Sequence, residues 1–165
     1  MATEIQLLAE DPHRLVLVGI QRRGVELAER LGRMLGERLG VDVPRGALDI
    51  TLYRDDFQTI GPVPVVAETR IPMDLTECIV VIVDDVLYTG RTVRAALDEL
   101  RDFGRPARIA LCVLIDRGGR ELPIQADIVG QHVEAGEMCR VDVLLDEVDR
   151  RDAVMLVQGG GEFGD

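Results

Sequence analysis

The sequence predicts an α/β fold, a doubly wound parallel sheet with a small C-terminal cap, and three observations carry that prediction. Val80-Val81-Ile82-Val83 is a continuous β-branched run, as expected of a strand buried on both faces. The run stops at Asp84-Asp85. Beyond a short loop with a Thr89-Gly90 turn, Val93, Ala96, Leu97 and Leu100 recur at the i, i+3, i+4, i+7 spacing of an amphipathic helix. Elsewhere strand-like and helix-like stretches alternate until a strand-rich C-terminal portion takes over, the pattern of a parallel core with an added cap.

The remaining elements follow in order. Leu15 to Val18 reads as a buried strand ending at Gly19-Ile20. A helix from about Gly24 to Leu39 places Leu27, Leu31, Met34, Leu35 and Leu39 on its inner face, and Gly40 suits the position just past its end. Leu48-Asp49-Ile50-Thr51-Leu52-Tyr53 alternates with period two, which predicts a strand with unlike faces. Between Arg54 and Glu77 there is little periodicity, and Pro62, Pro64 and Pro72 interrupt it. This is expected to be a long flexible loop, a lid that orders over bound substrate. Gly104 closes the helix after the central strand. Arg108 to Ile115 is a further strand, Asp116-Arg117-Gly118-Gly119-Arg120 a polar loop, and shorter strands are expected near Ile128, at Val141 to Leu145 and at Val154 to Val157. A single domain over residues 1–158 and a disordered glycine-rich tail over 159–165 complete the expectation.

Composition removes several functions. Hydrophobic residues make up 47% of the chain but aromatics only 3%, so the core must be aliphatic. No apolar run is long enough to cross a bilayer and no signal-peptide pattern opens the chain, so a cytoplasmic protein is expected. Cys78, Cys112 and Cys139 lack metal-type spacing and read as reduced thiols. His13 and His132 are too far apart to suggest a metal site. The chain has no lysine, which excludes Schiff-base and Walker-type phosphate chemistry. A net charge of −11 disfavours broad attraction to nucleic acid while leaving room for a local arginine patch.

Ligands of open α/β sheets bind outside the carboxyl ends of the strands, where Asp84, Asp85 and the loop after them must lie. The unpaired N–H groups of the following helix face the same space and suit a phosphate. Carboxylates accept strong hydrogen bonds from the vicinal hydroxyls of a sugar. Acids for a diol beside a cradle for a phosphate describe a site for ribose 5-phosphate. Gly19-Ile20-Gln21-Arg22-Arg23-Gly24 is a second strand-to-helix junction that should emerge at the same edge, offering N–H groups and arginine forks to pyrophosphate. Arg54, Asp55, Asp56 and Arg70 flank the long loop and are read as surface charge or as lid residues. Arg117 and Arg120 are candidate phosphate contacts.

The stretch from Val80 to Thr92 resembles the phosphoribosyl pyrophosphate (PRPP) motif of type I phosphoribosyltransferases. Gly19-Ile20-x-x-Arg23-Gly24, Leu48 to Asp56, Asp116-Arg117-Gly118 through Ile124, and Leu145-Asp146-Glu147-Val148-Asp149 extend the likeness over about Leu15 to Val157. In these segments the chain is similar to one family, the bifunctional pyrimidine-operon attenuators and uracil phosphoribosyltransferases of PyrR type. The resemblance implies a phosphoribosyltransferase that converts uracil and PRPP to UMP and pyrophosphate. Asp84 and Asp85 would bind the ribose hydroxyls, Val86, Leu87 and Tyr88 would also contact PRPP, Thr89, Gly90, Arg91 and Thr92 would hold the 5-phosphate, Arg22 and Arg23 would lie in the pyrophosphate loop, and Arg117 would sit near the substrate. Ile128 and Val129, within the stretch Asp127 to Val133 under the cap, would meet uracil, mostly through backbone groups.

Mg²⁺ would be held with PRPP, with no dedicated protein metal site. The resemblance further implies UMP-dependent binding of an mRNA leader and a homodimer or higher homo-oligomer. Tyr88 stands where purine-specific relatives carry an acid, and a phenol is no ionised partner for a purine nitrogen at neutral pH. The alternatives are an RNA-binding attenuator with vestigial catalysis and a purine-type enzyme. The chain departs from the family pattern in several places. Only a short stub precedes Leu15, Gly119 replaces a histidine, Gln125 and Gln131 stand where basic residues are common, and Arg22 replaces a threonine. Each missing cation lowers affinity for an RNA backbone.

Overall fold

The computed structural model describes residues 1–9, 11–50, 68–136 and 139–158. The elements are α1 (Ala2–Leu8), β1 (Leu15–Ile20), α2 (Arg23–Leu39), β2 (Arg45–Leu48), β3 (Ile79–Leu87), α3 (Arg91–Leu100), β4 (Arg108–Asp116), β5 (Ile128–His132), β6 (Cys139–Leu144), α4 (Asp146–Asp149) and β7 (Ala153–Gln158). Five parallel strands form the main sheet in the order β2-β1-β3-β4-β5, and β6 and β7 pair antiparallel as a separate ribbon.

Both faces of the sheet are covered, which explains the unbroken apolar runs of β1 and β3. Leu15, Leu17, Val81 and Val83 point into one core with α1, α2 and the ribbon residues Val141, Val143 and Leu145. Val16, Val18, Val80 and Ile82 point into the other with Val93, Ala96 and Leu100 of α3. Alternate residues of one strand thus serve opposite layers, and no polar position is left along these runs. From β1 the chain adds β2 on one side and then β3, β4 and β5 on the other, so the strand order reverses between β1 and β3. The predicted doubly wound parallel core and its cap are present.

Several predicted elements are displaced, each for a physical reason. The stub before Leu15 is a helix, α1, held by burial of Ala2 and Ile5 and followed by a 3₁₀ turn at Pro12–Arg14 that Asp11 caps with a 3.0 Å bond from His13 N–H. Met34 is 44% exposed. The buried stripe of α2 runs through Gly24, Ala28, Leu31, Gly32 and Leu35, which leaves Met34 at its rim. The strand predicted to begin at Leu48 instead ends there. Its neighbour β1 terminates at Ile20, the register partner of Leu48, and the last bond is Gln21 N–H to the Leu48 carbonyl at 2.9 Å. Asp49 N–H then turns to the Thr69 hydroxyl at 3.0 Å. β3 does not stop at the acids but runs on to Leu87, paired with Asp116.

Of the expected lid, residues 54–67 lie outside the described residues, as does the tail 159–165. Its later part is anchored: Ala47 and Arg70 exchange backbone hydrogen bonds of 2.8 Å, Leu75 is fully buried, and the Arg70 side chain pairs with Glu68.

Among the described residues, no helix is long and apolar enough to cross a membrane. The three cysteines are free thiols; Cys78 and Cys112 are buried and Cys139 is half-buried. Burial pushes the Cys78 thiol up and that of Cys112 up to about 12. Since the thiolate is the reactive form, a thiol reagent at pH 8 is expected to modify Cys139 first. Cys78 and Cys112 should react only once denaturant opens the core, as mass spectrometry of timed aliquots would show.

Candidate active site

The carboxyl ends of β1 and β3 lie side by side, with Gly19 in register with Val83, so the two loops singled out in the sequence leave the sheet next to each other at its switch point. Glycine makes this approach feasible. A Cβ on Gly24 would lie 2.4 Å from the Val83 carbonyl oxygen, and one on Gly19 would lie 2.5 Å from the Gly24 oxygen. The first turn of α2 therefore rests directly on the β3 backbone at Val83 and Asp84. The Gln21–Arg22 peptide bond within this loop is cis.

Asp84 is buried, 6% exposed, and Asp85 is half-buried. Each carboxylate folds back onto the chain: Asp84 Oδ1 accepts Asp85 N–H at 2.9 Å, and Asp85 Oδ1 accepts Val86 N–H at 2.8 Å. The acids thereby hold their own backbone at the end of the sheet.

The following loop is set by Gly90, whose φ of 93° lies in the left-handed region and which is the residue before α3. Gly90 brings no side-chain cap to α3, and Arg91 N–H, the first of the helix, makes a long 3.3 Å bond to the Thr89 hydroxyl, an arrangement that a phosphate at this helix start could replace. From outside the loop, the Thr89 carbonyl accepts the N–H groups of Glu121 and Leu122 at 3.0 and 3.1 Å, and Arg91 pairs with Glu121 at 2.8 Å. Tyr88, Thr89, Gly90, Thr92, Arg117 and Arg140 are among the residues that line a cleft of about 240 Å³ above this turn.

Arg117 is 8% exposed and its guanidinium lies 4.0 Å from the centroid of the Tyr88 ring, a cation–π stack. Its Nη2 donates to the Gly136 carbonyl at 3.3 Å, while its buried Nε has no hydrogen-bond partner among the described residues. Arg120 buttresses the stack, donating to the Tyr88 carbonyl at 2.9 Å and the Ile124 carbonyl at 2.9 Å and pairing with Asp116. Burial alone would raise the Asp116 carboxyl, but Arg120 and Gly118 N–H outweigh it and hold it below its ordinary range. The glycine that replaces a histidine now has a steric reason. At Gly119, φ is 72° and a Cβ would lie 2.3 Å from the Tyr88 ring.

The two arginines of the first loop separate. Arg22 is exposed and makes no ion pair among the described residues, whereas Arg23 forms a two-pronged bond to Asp149, at 2.9 and 3.1 Å. Ile128 is 2% exposed and its side chain belongs to the α2-side core, which leaves its backbone as the part that could face a ligand. Its neighbour Val129 lines a second, larger depression of about 690 Å³, and Arg117 borders both cavities. The sequence gives Arg140, Val141 and Asp149 no role of their own at the site. They reach it through folding of the ribbon, and no local motif marks that approach.

Among the described residues no group of three or more metal-ligating side chains is present. Two carboxylates already bonded to backbone suit a cation that brings most of its oxygen ligands with the substrate.

The sheet, its switch point and the paired loops form a candidate site for a nucleotide-type transferase, and the match to the phosphoribosyl transferase domain over residues 3–142 shows that the chain belongs to that family. Within the family it stands with the PyrR proteins. It is 55% identical to the bifunctional protein PyrR of Thermus thermophilus, over 98% of this chain and 89% of that protein. To the bifunctional protein PyrR of Chloroflexus aurantiacus it is 57% identical, over 88% of this chain and 80% of that one. The crystal structure of hypoxanthine phosphoribosyltransferase from Trypanosoma cruzi superposes with a TM-score of 0.66 at 20% identity, covering 95% of this chain and 89% of the other, a likeness of fold alone.

Proposed function

We propose that the chain transfers the phosphoribosyl group of PRPP to uracil, forming UMP and pyrophosphate. The observation that carries the choice of base is Tyr88, which follows the acidic pair in the sequence, lines the cleft and stacks on Arg117, so that no carboxylate stands in that slot. A neutral phenol offers no charge to a purine ring nitrogen. The name shared by the PyrR relatives supports the same reading.

In this reading Asp84 and Asp85 accept hydrogen bonds from the ribose 2- and 3-hydroxyls, and the N–H groups of the Thr89–Thr92 turn hold the 5-phosphate. Arg22 and the N–H groups of its loop face the pyrophosphate. Val129 borders the base pocket. Bound Mg²⁺ would neutralise part of the pyrophosphate charge. The residues supply position and charge complementarity. As the C1–O bond to pyrophosphate breaks, positive charge grows on the ribose ring beside the two acids. Uracil N1 closes on C1, its proton passes to the departing pyrophosphate or to solvent, and UMP is complete.

A steady-state assay with uracil, hypoxanthine and orotate as alternative acceptors tests this. Pyrophosphate release with uracil at least about 100-fold faster, in kcat/KM, than with hypoxanthine is expected, the discrimination that a misplaced polar group in a closed site produces. Turnover with hypoxanthine and none with uracil would overturn it.

The word bifunctional in the relatives' name favours a second activity, UMP-dependent binding of a pyrimidine-operon leader RNA. Gly119, Gln125 and Gln131 remove cations that would support it. Filter binding to leader RNA at several salt concentrations, with and without UMP, measures what remains. The same reading carries cytoplasmic location and assembly as a homo-oligomer, the latter checked by sedimentation.

A further inference from the structure

Two arginines on one side of α2, Arg23 and Arg30, grip the turn that joins the strands of the ribbon. Arg23 holds Asp149 through both prongs of its guanidinium, and Arg30 holds Glu147 and Asp152. The inner clamp has a second task at each end. Asp149 Oδ2 accepts Leu145 N–H at 2.9 Å, which shapes the entry to α4, while Arg23 is the first residue of the helix that follows the Gln21–Arg22 loop. The inner clamp is the better shielded of the two, because Asp149 is largely covered and Asp152 is open to solvent.

We infer that Asp149 is a positioning residue for PRPP. It immobilises Arg23, ties the Arg22–Arg23 loop to the cap, and keeps the Arg23 guanidinium from turning onto Asp85. The inference rests on the reading that this loop meets the pyrophosphate. Arg23 is charged at any working pH, and its hydrogen bond to Asp149 dominates the attraction, with Asp85 and Asp142 adding to it. Asp85 is near because the first turn of α2 packs on the β3 backbone, where a Cβ on Gly24 would lie 3.3 Å from the Asp84 Cα. With Asp149 engaged, the two loop arginines divide the work: Arg23 anchors, and the exposed Arg22 is left for the anion. Without it, Arg23 has Asp85 as its next carboxylate, and a guanidinium there competes with the ribose diol for the same oxygens.

The test is PRPP binding in the presence of Mg²⁺, measured by titration calorimetry without any base, for wild type, Asp149→Asn, Arg23→Gln, the double variant and Glu147→Gln. Asparagine keeps an acceptor for Leu145 N–H, and Arg23→Gln leaves that bond untouched, so at least one of the two retains the folded turn; thermal midpoints verify this. Each single variant of the inner pair should weaken PRPP binding about tenfold. The double should be no more than about twofold worse than the weaker single, because partners acting as one unit are non-additive. Glu147→Gln, at the outer clamp, should bind as wild type does.

Wild-type affinity in Asp149→Asn overturns the inference, as do losses that multiply in the double variant, which would make Arg23 a direct ligand independent of Asp149. A wild-type protein that binds no PRPP would instead bring down the functional reading beneath it. Weakening of Glu147→Gln equal to that of Asp149→Asn would show a general loosening of the cap and also overturn the specific role.

Discussion

Asp85→Asn is expected to weaken PRPP binding about 30-fold, and Asp84→Asn combined with it about 1,000-fold, with little change in thermal midpoint. The scale follows from hydrogen bonds to a charged acceptor, each worth about 1.5–3 kcal/mol, or roughly ten- to over a hundredfold. Stability is spared for a structural reason. Each carboxylate meets the adjacent backbone through Oδ1, at Asp85 N–H and Val86 N–H respectively, and the carbonyl of asparagine can occupy that position. Charge is therefore removed from this part of β3 while the turn keeps these bonds. Calorimetric PRPP affinity and a thermal melt of the same samples decide the matter. A variant that unfolds early yet binds PRPP normally would make the acid structural.

Gly24→Ala is expected to destabilise the fold by about 3 kcal/mol, the upper part of the usual range for forced overpacking. For a chain of this size that corresponds to a fall of about 10 °C in thermal midpoint. The added methyl would meet the Val83 carbonyl at 2.4 Å and the Asp84 Cα at 3.3 Å. Neither is the end of a flexible side chain, so helix α2 must lift from the sheet at the point where β3 delivers its acids. The variant should lose PRPP affinity along with stability, unlike Asp85→Asn. Differential scanning calorimetry checks the first effect, and unchanged stability would mean that α2 has room to move that its contacts deny.

The candidate site is legible in the sequence where it depends on contiguous residues. Strand, acids, small-residue turn and helix occupy Val80 to Leu100 without interruption, and the chemistry of that order needs only the rule that ligands sit at strand carboxyl ends. The Gly19–Gly24 junction is legible for the same reason. The side to which Ile128 turns is not, because it depends on register: Ile128 pairs with Cys112 and its side chain turns into the core, while Val129, one residue on, faces the depression. The period-two pattern that starts at Leu48 does not extend the strand through Asp49 and Ile50, because alternation makes a strand only where a neighbour supplies hydrogen bonds, and β1 ends at Ile20. Leu48 is accordingly a strand end, and residues 51–53 lie outside the described residues.

By itself the sequence determined the layering of the fold, the family and the place of the acidic pair at the sheet edge, since all three rest on local periodicity and short motifs. Only the tertiary structure decided what the arginines touch. In the sequence Arg22 and Arg23 are equivalent neighbours. In the fold one is exposed and the other is bound to a carboxylate 126 residues away. Arg117 becomes a buried cation against the Tyr88 ring, and Gly119 the residue whose missing side chain lets that ring lie there. A long, flexible guanidinium can reach many partners, and which one it takes is set by where the chain brings the acids and rings, information carried by packing over long sequence separations and by no window of adjacent residues.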